Sequence, residues 1–95
     1  MHIITRKRLN DFAKVHPDCE ASLVQWFKEM RCANFSNIQE VRAIFSHADK
    51  VGKFTVFNIG GNKARLIAAI HYNRKKVYIR HVLTHVEYDK GAWKK

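Results

Sequence analysis

Apolar positions recur every three or four residues through the first half of the chain, and in alternating or unbroken runs through the second. The first pattern belongs to helices with one buried face and the second to strands. After a short β-prone start, HIIT, Thr5 is placed to cap a helix over RKRLNDFAKV in which Leu9, Phe12 and Ala13 share a face. Pro17 ends it. Asp18 is placed to cap a second helix running to about Cys32, with Leu23, Phe27 and Met30 as its apolar stripe and Gln25, Lys28, Glu29 and Arg31 toward water. Ser36 and Gln39 fit a capping box that opens a third, short helix through Val41, Ile44 and Phe45. SHADKVGK, residues 46–53, reads as a loop.

Three segments then follow that are rich in β-branched and aromatic residues: FTVFNI, ARLIAAIHY and KVYIRHVLT. Gly60, Gly61 and Asn62 form the first turn between them, and Asn73, Arg74 and Lys75 the second. Connections this short favour an antiparallel meander. The expected fold is α+β, with N-terminal helices packed on one face of an antiparallel sheet and the other face left to bind something. Residues 1–95 are read as a single domain, since a chain of 95 residues has room for about one core.

Charge narrows the function. Lys and Arg number 18 against 8 acidic residues, a formal net charge of +10, and such a field on a small body attracts polyanions, nucleic acid first. Membrane is disfavoured, because no run of about 18 apolar residues exists. The start MHIITRKRLND lacks the apolar region of a secretory signal, so a cytoplasmic location is expected. Cys19 and Cys32 match no metal or redox spacing and read as reduced packing residues. His81 and His85, placed on one strand, would stand about 13 Å apart and could not share an ion, so no metal site is expected.

Cations interleave with aromatic residues in the second half, where Lys50, Lys53, Lys63, Arg65, Arg80, Lys90 and Lys94 alternate with Phe57, Tyr72, Tyr78, Tyr88 and Trp93. Cations hold phosphates and aromatic faces stack unpaired bases, the usual grip on single-stranded RNA. Arg65 directly follows the turn and can clamp a phosphate from the sheet rim. The stretch RHVLTHVEYDK, residues 80–90, closes the last strand with protic groups. His85 suits proton transfer near neutrality. Tyr88 suits stacking a base or positioning a phosphate, and Asp89 suits orienting a neighbour.

Three stretches, MHIITRKRLNDFAKVHPD, VFNIGGNKARLI and VYIRHVLTHVEYDK, resemble the HigB family of bacterial toxin–antitoxin toxins within the RelE/ParE-like superfamily. The resemblance implies a compact microbial-ribonuclease-like fold and a toxin that cleaves messenger RNA in the ribosomal A site. It also implies inhibition by a cognate helix-turn-helix antitoxin of the HigA type. Arg65 corresponds to the superfamily's phosphate-binding arginine and Tyr88 to its C-terminal tyrosine, with Lys63 and His85 placed beside them as further catalytic residues. Lys53, Asn62, Arg80, Asp89, Lys90 and Lys94 are the expected RNA-binding set. The chain departs from the pattern at Ala64, where members often carry an aromatic residue, and at Phe35, where they carry tryptophan. The implied chemistry is metal-independent and uses no cofactor: the RNA 2′-hydroxyl attacks the adjacent phosphorus, leaving a 2′,3′-cyclic phosphate and a 5′-hydroxyl. Two other readings share features with it. A non-catalytic RNA- or ribosome-binding module would need the charge and the aromatics but not His85. A gyrase-inhibiting toxin of the same superfamily would share the scaffold. The THVEYDK ending favours the ribonuclease.

Overall fold

The computed structural model of the chain describes residues 1–61 and 63–94, the last by its backbone alone. A short strand β1 (His2–Ile4) leads into helix α1 (Arg6–Val15), a 3-10 turn (Pro17–Cys19), α2 (Glu20–Cys32) and α3 (Ile38–Ile44). Strands β2 (Asp49–Val51), β3 (Phe54–Ile59), β4 (Ala64–His71) and β5 (Lys76–Thr84) follow, and the chain closes with α4 (His85–Lys90) and a 3-10 turn (Ala92–Lys94).

The α+β expectation holds, with one correction to the sheet. Strands β2 to β5 form the antiparallel meander, but β1 adds itself to the β5 edge in parallel, pairing Ile3 with Val77, so the sheet is mixed in the order β1-β5-β4-β3-β2. Only three residues make that pairing, and no local pattern distinguishes which edge they choose. The loop expected at 46–53 likewise contains β2, which pairs with β3 through Lys50 and Thr55.

The caps move by a residue or two. Thr5 takes a left-handed conformation (φ 71°) and makes no side-chain cap to α1. Asp18 falls inside the 3-10 turn that Pro17 opens, and Cys19 precedes α2. At α3 the box is shifted by one: Asn37 accepts from the Glu40 amide at 3.0 Å, while the Ser36 amide donates to the Glu40 carboxylate at 2.6 Å. The stripe of α2 is also wider than Leu23, Phe27 and Met30. Trp26 is buried with Leu23 and Met30, while Phe27 is half-buried under the Arg6 guanidinium at 4.1 Å.

The main core lies between the N-terminal helices and one face of the sheet. Leu9, Phe12, Leu23, Trp26 and Met30 pack there against Phe57, Ile59, Leu66, Ala68, Val77 and Ile79. Each fully buried large side chain in this set stabilises the fold by about 1.5–3 kcal/mol. Phe57 sits at its centre, edge-on to Trp26 at 5.4 Å and to Phe45 at 5.1 Å.

A β-bulge decides what reaches the opposite face. Ile67 pairs with His81 but Ala68 pairs with Ile79, which leaves Arg80 as the extra residue of β5. Before the bulge, Val77 and Ile79 point at the helices; after it, the phase slips and Val82 does. His81 and Leu83 are thereby turned toward the face that carries Arg65 and Ile67. That face is partly covered by the C-terminal segment: Trp93, Val56 and Ile67 form a second small cluster with Phe54, Leu83 and Tyr88 against it.

Candidate active site

The turn joining β3 and β4 is built on two left-handed glycines, Gly60 (φ 59°) and Gly61 (φ 71°), a conformation that costs glycine almost nothing. It delivers two cations. Lys63 is exposed, with Nζ 3.6 Å from Asp18, and its carbonyl accepts a 3.3 Å bond from the His85 amide, which ties the turn to the start of α4. Two positions on, Arg65 pairs across β4 with Asn58 and Leu83 and projects on the face away from the helices. Its Nη1 donates to the Ala64 carbonyl at 3.1 Å, and its guanidinium stands 5.6 Å from the centroid of the Tyr88 ring.

The protic residues of RHVLTHVEYDK lie beyond the end of β5, as the segment KVYIRHVLT implied, but on a helix that the sequence reading did not expect. The strand stops at Thr84 and the chain turns into α4, because Thr-His-Val-Glu is a complete capping box: the Glu87 amide donates to Thr84 Oγ1 at 3.2 Å and the Thr84 amide to Glu87 Oε1 at 3.0 Å. Hydrogen bonding from Thr84 to the carboxylate, its backbone amide first and its side chain second, lowers the Glu87 pKa. Helical spacing then groups His85, Tyr88 and Asp89 on one side. His85 Nδ1 lies 3.0 Å from Asp89 Oδ2, so the carboxylate orients the imidazole and fixes the Nδ1 proton, leaving Nε2 to exchange protons with a substrate.

Tyr88 is already engaged through its ring. It stacks on Trp93 with centroids 5.2 Å apart and planes 16° apart, and Arg65 lies over it. A base would have to displace these contacts, so the hydroxyl is the group that Tyr88 presents. From Trp93 the aromatic row continues to Phe54, edge-on at 6.3 Å, and ends under Lys53, whose Nζ is 5.5 Å from the Phe54 centroid.

The structure therefore joins Arg65, Tyr88, Trp93, Phe54 and Lys53 in one row of contacts along the rim, with His85 and Asp89 paired beside Tyr88 on α4; the Lys63 backbone is tied to His85, while its side chain reaches toward Asp18. Lys90 sits on the other flank of α4, where it lines a recess of about 350 Å³ with His81, Leu83, Glu87, Ala92 and Trp93. Arg80 is not gathered into the rim; it is the exposed bulge residue of β5. Burial first, then the charges of Arg8 and Arg80, push the His81 pKa down. Asn62 and the side chain of Lys94 lie outside the described residues. Sequence reasoning missed Phe54 and gave Trp93 no individual role. The Thr-x-x-Glu signal that makes α4 was legible, but the strand pattern running into it took precedence.

A cation held over an aromatic ring, a second cation at a glycine turn and a carboxylate-oriented histidine form a site for a negatively charged substrate that exchanges protons. Among the described residues, no three His, Cys, Asp or Glu side chains converge as metal ligands. Nor is any described helix long and apolar enough to cross a membrane.

Comparison with known proteins places this geometry in context. A family model for HigB toxin, the RelE-like toxic component of a toxin–antitoxin system, matches residues 19–91. The chain is 37% identical over 92 residues to the mRNA interferase toxin HigB of Escherichia coli (strain K12), spanning 94% of this chain and 88% of that protein. The mRNA interferase HigB of Shigella flexneri matches with the same identity and coverage. The mRNA interferase HigB of Escherichia coli O6:H1 is 31% identical over 93 residues, 95% of this chain and 90% of that protein.

Proposed function

Since the chain belongs to the HigB family, the RelE-like toxic component of a toxin–antitoxin system, we propose that it is an endoribonuclease of messenger RNA whose active site is the Arg65–Tyr88–His85 rim. Its family implies an antitoxin partner. The reading extends further, to a helix-turn-helix antitoxin of the HigA type and to messenger RNA in the ribosomal A site of the cytoplasm as the substrate. Residues 1–95 act in it as one toxin domain.

The observation that carries the site is the juxtaposition on α4. Tyr88 holds the Arg65 guanidinium at 5.6 Å, and His85 on the same helix side is oriented by Asp89 at 3.0 Å. RNA brings its own nucleophile, the 2′-hydroxyl, so the protein has to align it, move two protons and neutralise added charge on phosphorus. Arg65 and Lys63 neutralise the charge on the phosphoryl oxygens. His85 Nε2 transfers a proton, and Asp89 keeps its ring aligned and stabilises the imidazolium when it forms. The Tyr88 hydroxyl donates to the phosphate or to the departing 5′-oxygen. The O–P bond from the 2′-oxygen forms, the bond to the 5′-oxygen breaks, and the products are a 2′,3′-cyclic phosphate and a 5′-hydroxyl. Lys53, Arg80 and Lys90 bind flanking phosphates. The nucleophile and charge stabilisers are all supplied without a metal ion, so cleavage persists in EDTA when polyamines keep the ribosomes assembled.

Single-turnover cleavage of a ribosome-bound message, with both product ends identified, tests the proposal. His85→Ala should slow the chemical step by roughly 10² to 10⁴-fold, the usual worth of a positioned acid or base. An unchanged rate removes His85 from the mechanism, and a 5′-phosphate product removes the 2′-hydroxyl pathway.

A further inference from the structure

Helix α4 carries the proposed catalytic groups but has little to hold it in place. It is six residues long, none of them buried, and a helix so short is not stable in isolation. Its N-terminus is fixed by the Thr84–Glu87 box; its other end depends on Trp93. The indole is 5% exposed and shares the cluster of Val56 and Ile67, so it is rooted in the sheet. Its Nε1–H donates at 3.0 Å to the Tyr88 carbonyl, one of the terminal helix carbonyls left without an intrahelical partner, which also accepts from the Gly91 amide at 3.0 Å. Its ring stacks on the Tyr88 ring at 5.2 Å. Trp93 thus grips both the backbone and the side chain of the one residue over which the Arg65 guanidinium stands.

We propose that Trp93 is a positioning residue of the cleavage centre: through Tyr88 it sets the place of the Arg65 guanidinium. This rests on the active-site reading above and names a residue that reading does not use. Burial keeps the indole from stacking on RNA, so its effect passes through Tyr88 to Arg65. The main core lies on the opposite face of the sheet and does not include Trp93, so the fold survives its replacement.

Two side-chain functions are separable. Trp93→Phe keeps a ring against Tyr88 and loses the N–H; Trp93→Leu keeps a smaller apolar side chain and loses both. The single-turnover rate should fall roughly 10- to 10²-fold in Trp93→Leu, as expected for a displaced charge-stabilising group, and by less in Trp93→Phe. The apparent affinity for the programmed ribosome should change little. In a Tyr88→Ala background Trp93→Leu should add almost nothing, since coupled residues are not additive. Multiplicative losses would overturn the proposal, as would a loss confined to KM. The Arg65 Nε–H resonance, which senses the ring current of Tyr88, reads the same claim without activity: it should shift in Trp93→Leu and shift less in Trp93→Phe. An unchanged resonance overturns the positioning role even if cleavage falls. A wild-type protein that does not cleave overturns the active-site reading, while the resonance still decides whether Trp93 places Arg65.

Discussion

The two faces of the sheet are built from the same strands and used differently. Toward the helices, Phe57, Leu66, Val77 and Ile79 are at most 1% exposed, each closed over by α1, α2 or a neighbouring aromatic ring. Toward the other side, the buried set shrinks to Val56, Ile67 and Trp93, and around it stand Arg65, Tyr88, Lys53 and His81, all at least partly exposed. One face is thus given to stability, and the other is the one to which the proposed chemistry is assigned. A cation or imidazole needs water, or a substrate, to stay charged or exchange protons, and neither is available under a packed helix. The small cluster at Trp93 is where the two faces meet: a patch of apolar burial against which α4 packs through Tyr88.

That division makes opposite predictions for the two faces. Phe57→Ala, in the helix-side core, should cost about 3–5 kcal/mol, a large part of the stability of a domain this size. Urea unfolding should show the loss, while the cleavage rate per folded molecule stays near wild type. Arg65→Ala should do the reverse, lowering ribosome-dependent cleavage roughly 10²–10³-fold, as loss of a charge-stabilising donor does. Its unfolding free energy should stay within about 0.5 kcal/mol of wild type. If Arg65→Ala unfolds the chain, the two faces are not independent.

Smaller changes probe the seam between them. Thr84→Ala removes half of the capping box and should cost about 1 kcal/mol, felt in α4 and not in the core. Hydrogen exchange would show it as lost protection of the Glu87 amide, which Thr84 Oγ1 accepts at 3.2 Å, with the amides of Leu66 and Ile79 unchanged. The smallest effect is one of pH. Because Glu87 titrates lower in the folded chain than in the unfolded one, its contribution is present above about pH 4.3, the unfolded value, and is lost as pH falls through the folded value. A Glu87→Gln variant should therefore differ from wild type in α4 protection at pH 6 and converge with it under strongly acidic conditions. A gap that persists at low pH would assign the difference to packing.

Sequence reasoning reached the helix-side face almost entirely. The apolar spacing of α1 and α2 and the composition of β3, β4 and β5 are local signals, and burial follows them directly at Leu9, Leu23, Met30 and Phe57. Trp26 was missed because a stripe of three positions already satisfied the pattern. The candidate site was legible as a set of residues but not as an arrangement. His85, Tyr88 and Asp89 were picked out as the groups that close the last strand, with no helix expected there; a chain continuing extended would set His85 and Asp89 about 13 Å apart with no contact. The helix puts them 3.0 Å apart.

What the chain determined by itself is whatever depends on neighbours in sequence: helix faces, the glycine turn before Arg65, the excess of positive charge, and the three stretches, the THVEYDK ending among them, that together resemble its family. Tertiary structure decided the rest, because it depends on which distant segments share a face. The parallel docking of β1 beside β5, the bulge at Arg80 that turns His81 and Leu83 toward Arg65's face, and the stacking of Trp93 on Tyr88 beneath an arginine 28 positions earlier are all non-local. Each is worth little on its own. They form because the packed helix-side core fixes the strands first in energy, leaving weak contacts on the open face a rigid surface on which to be made at low entropic cost.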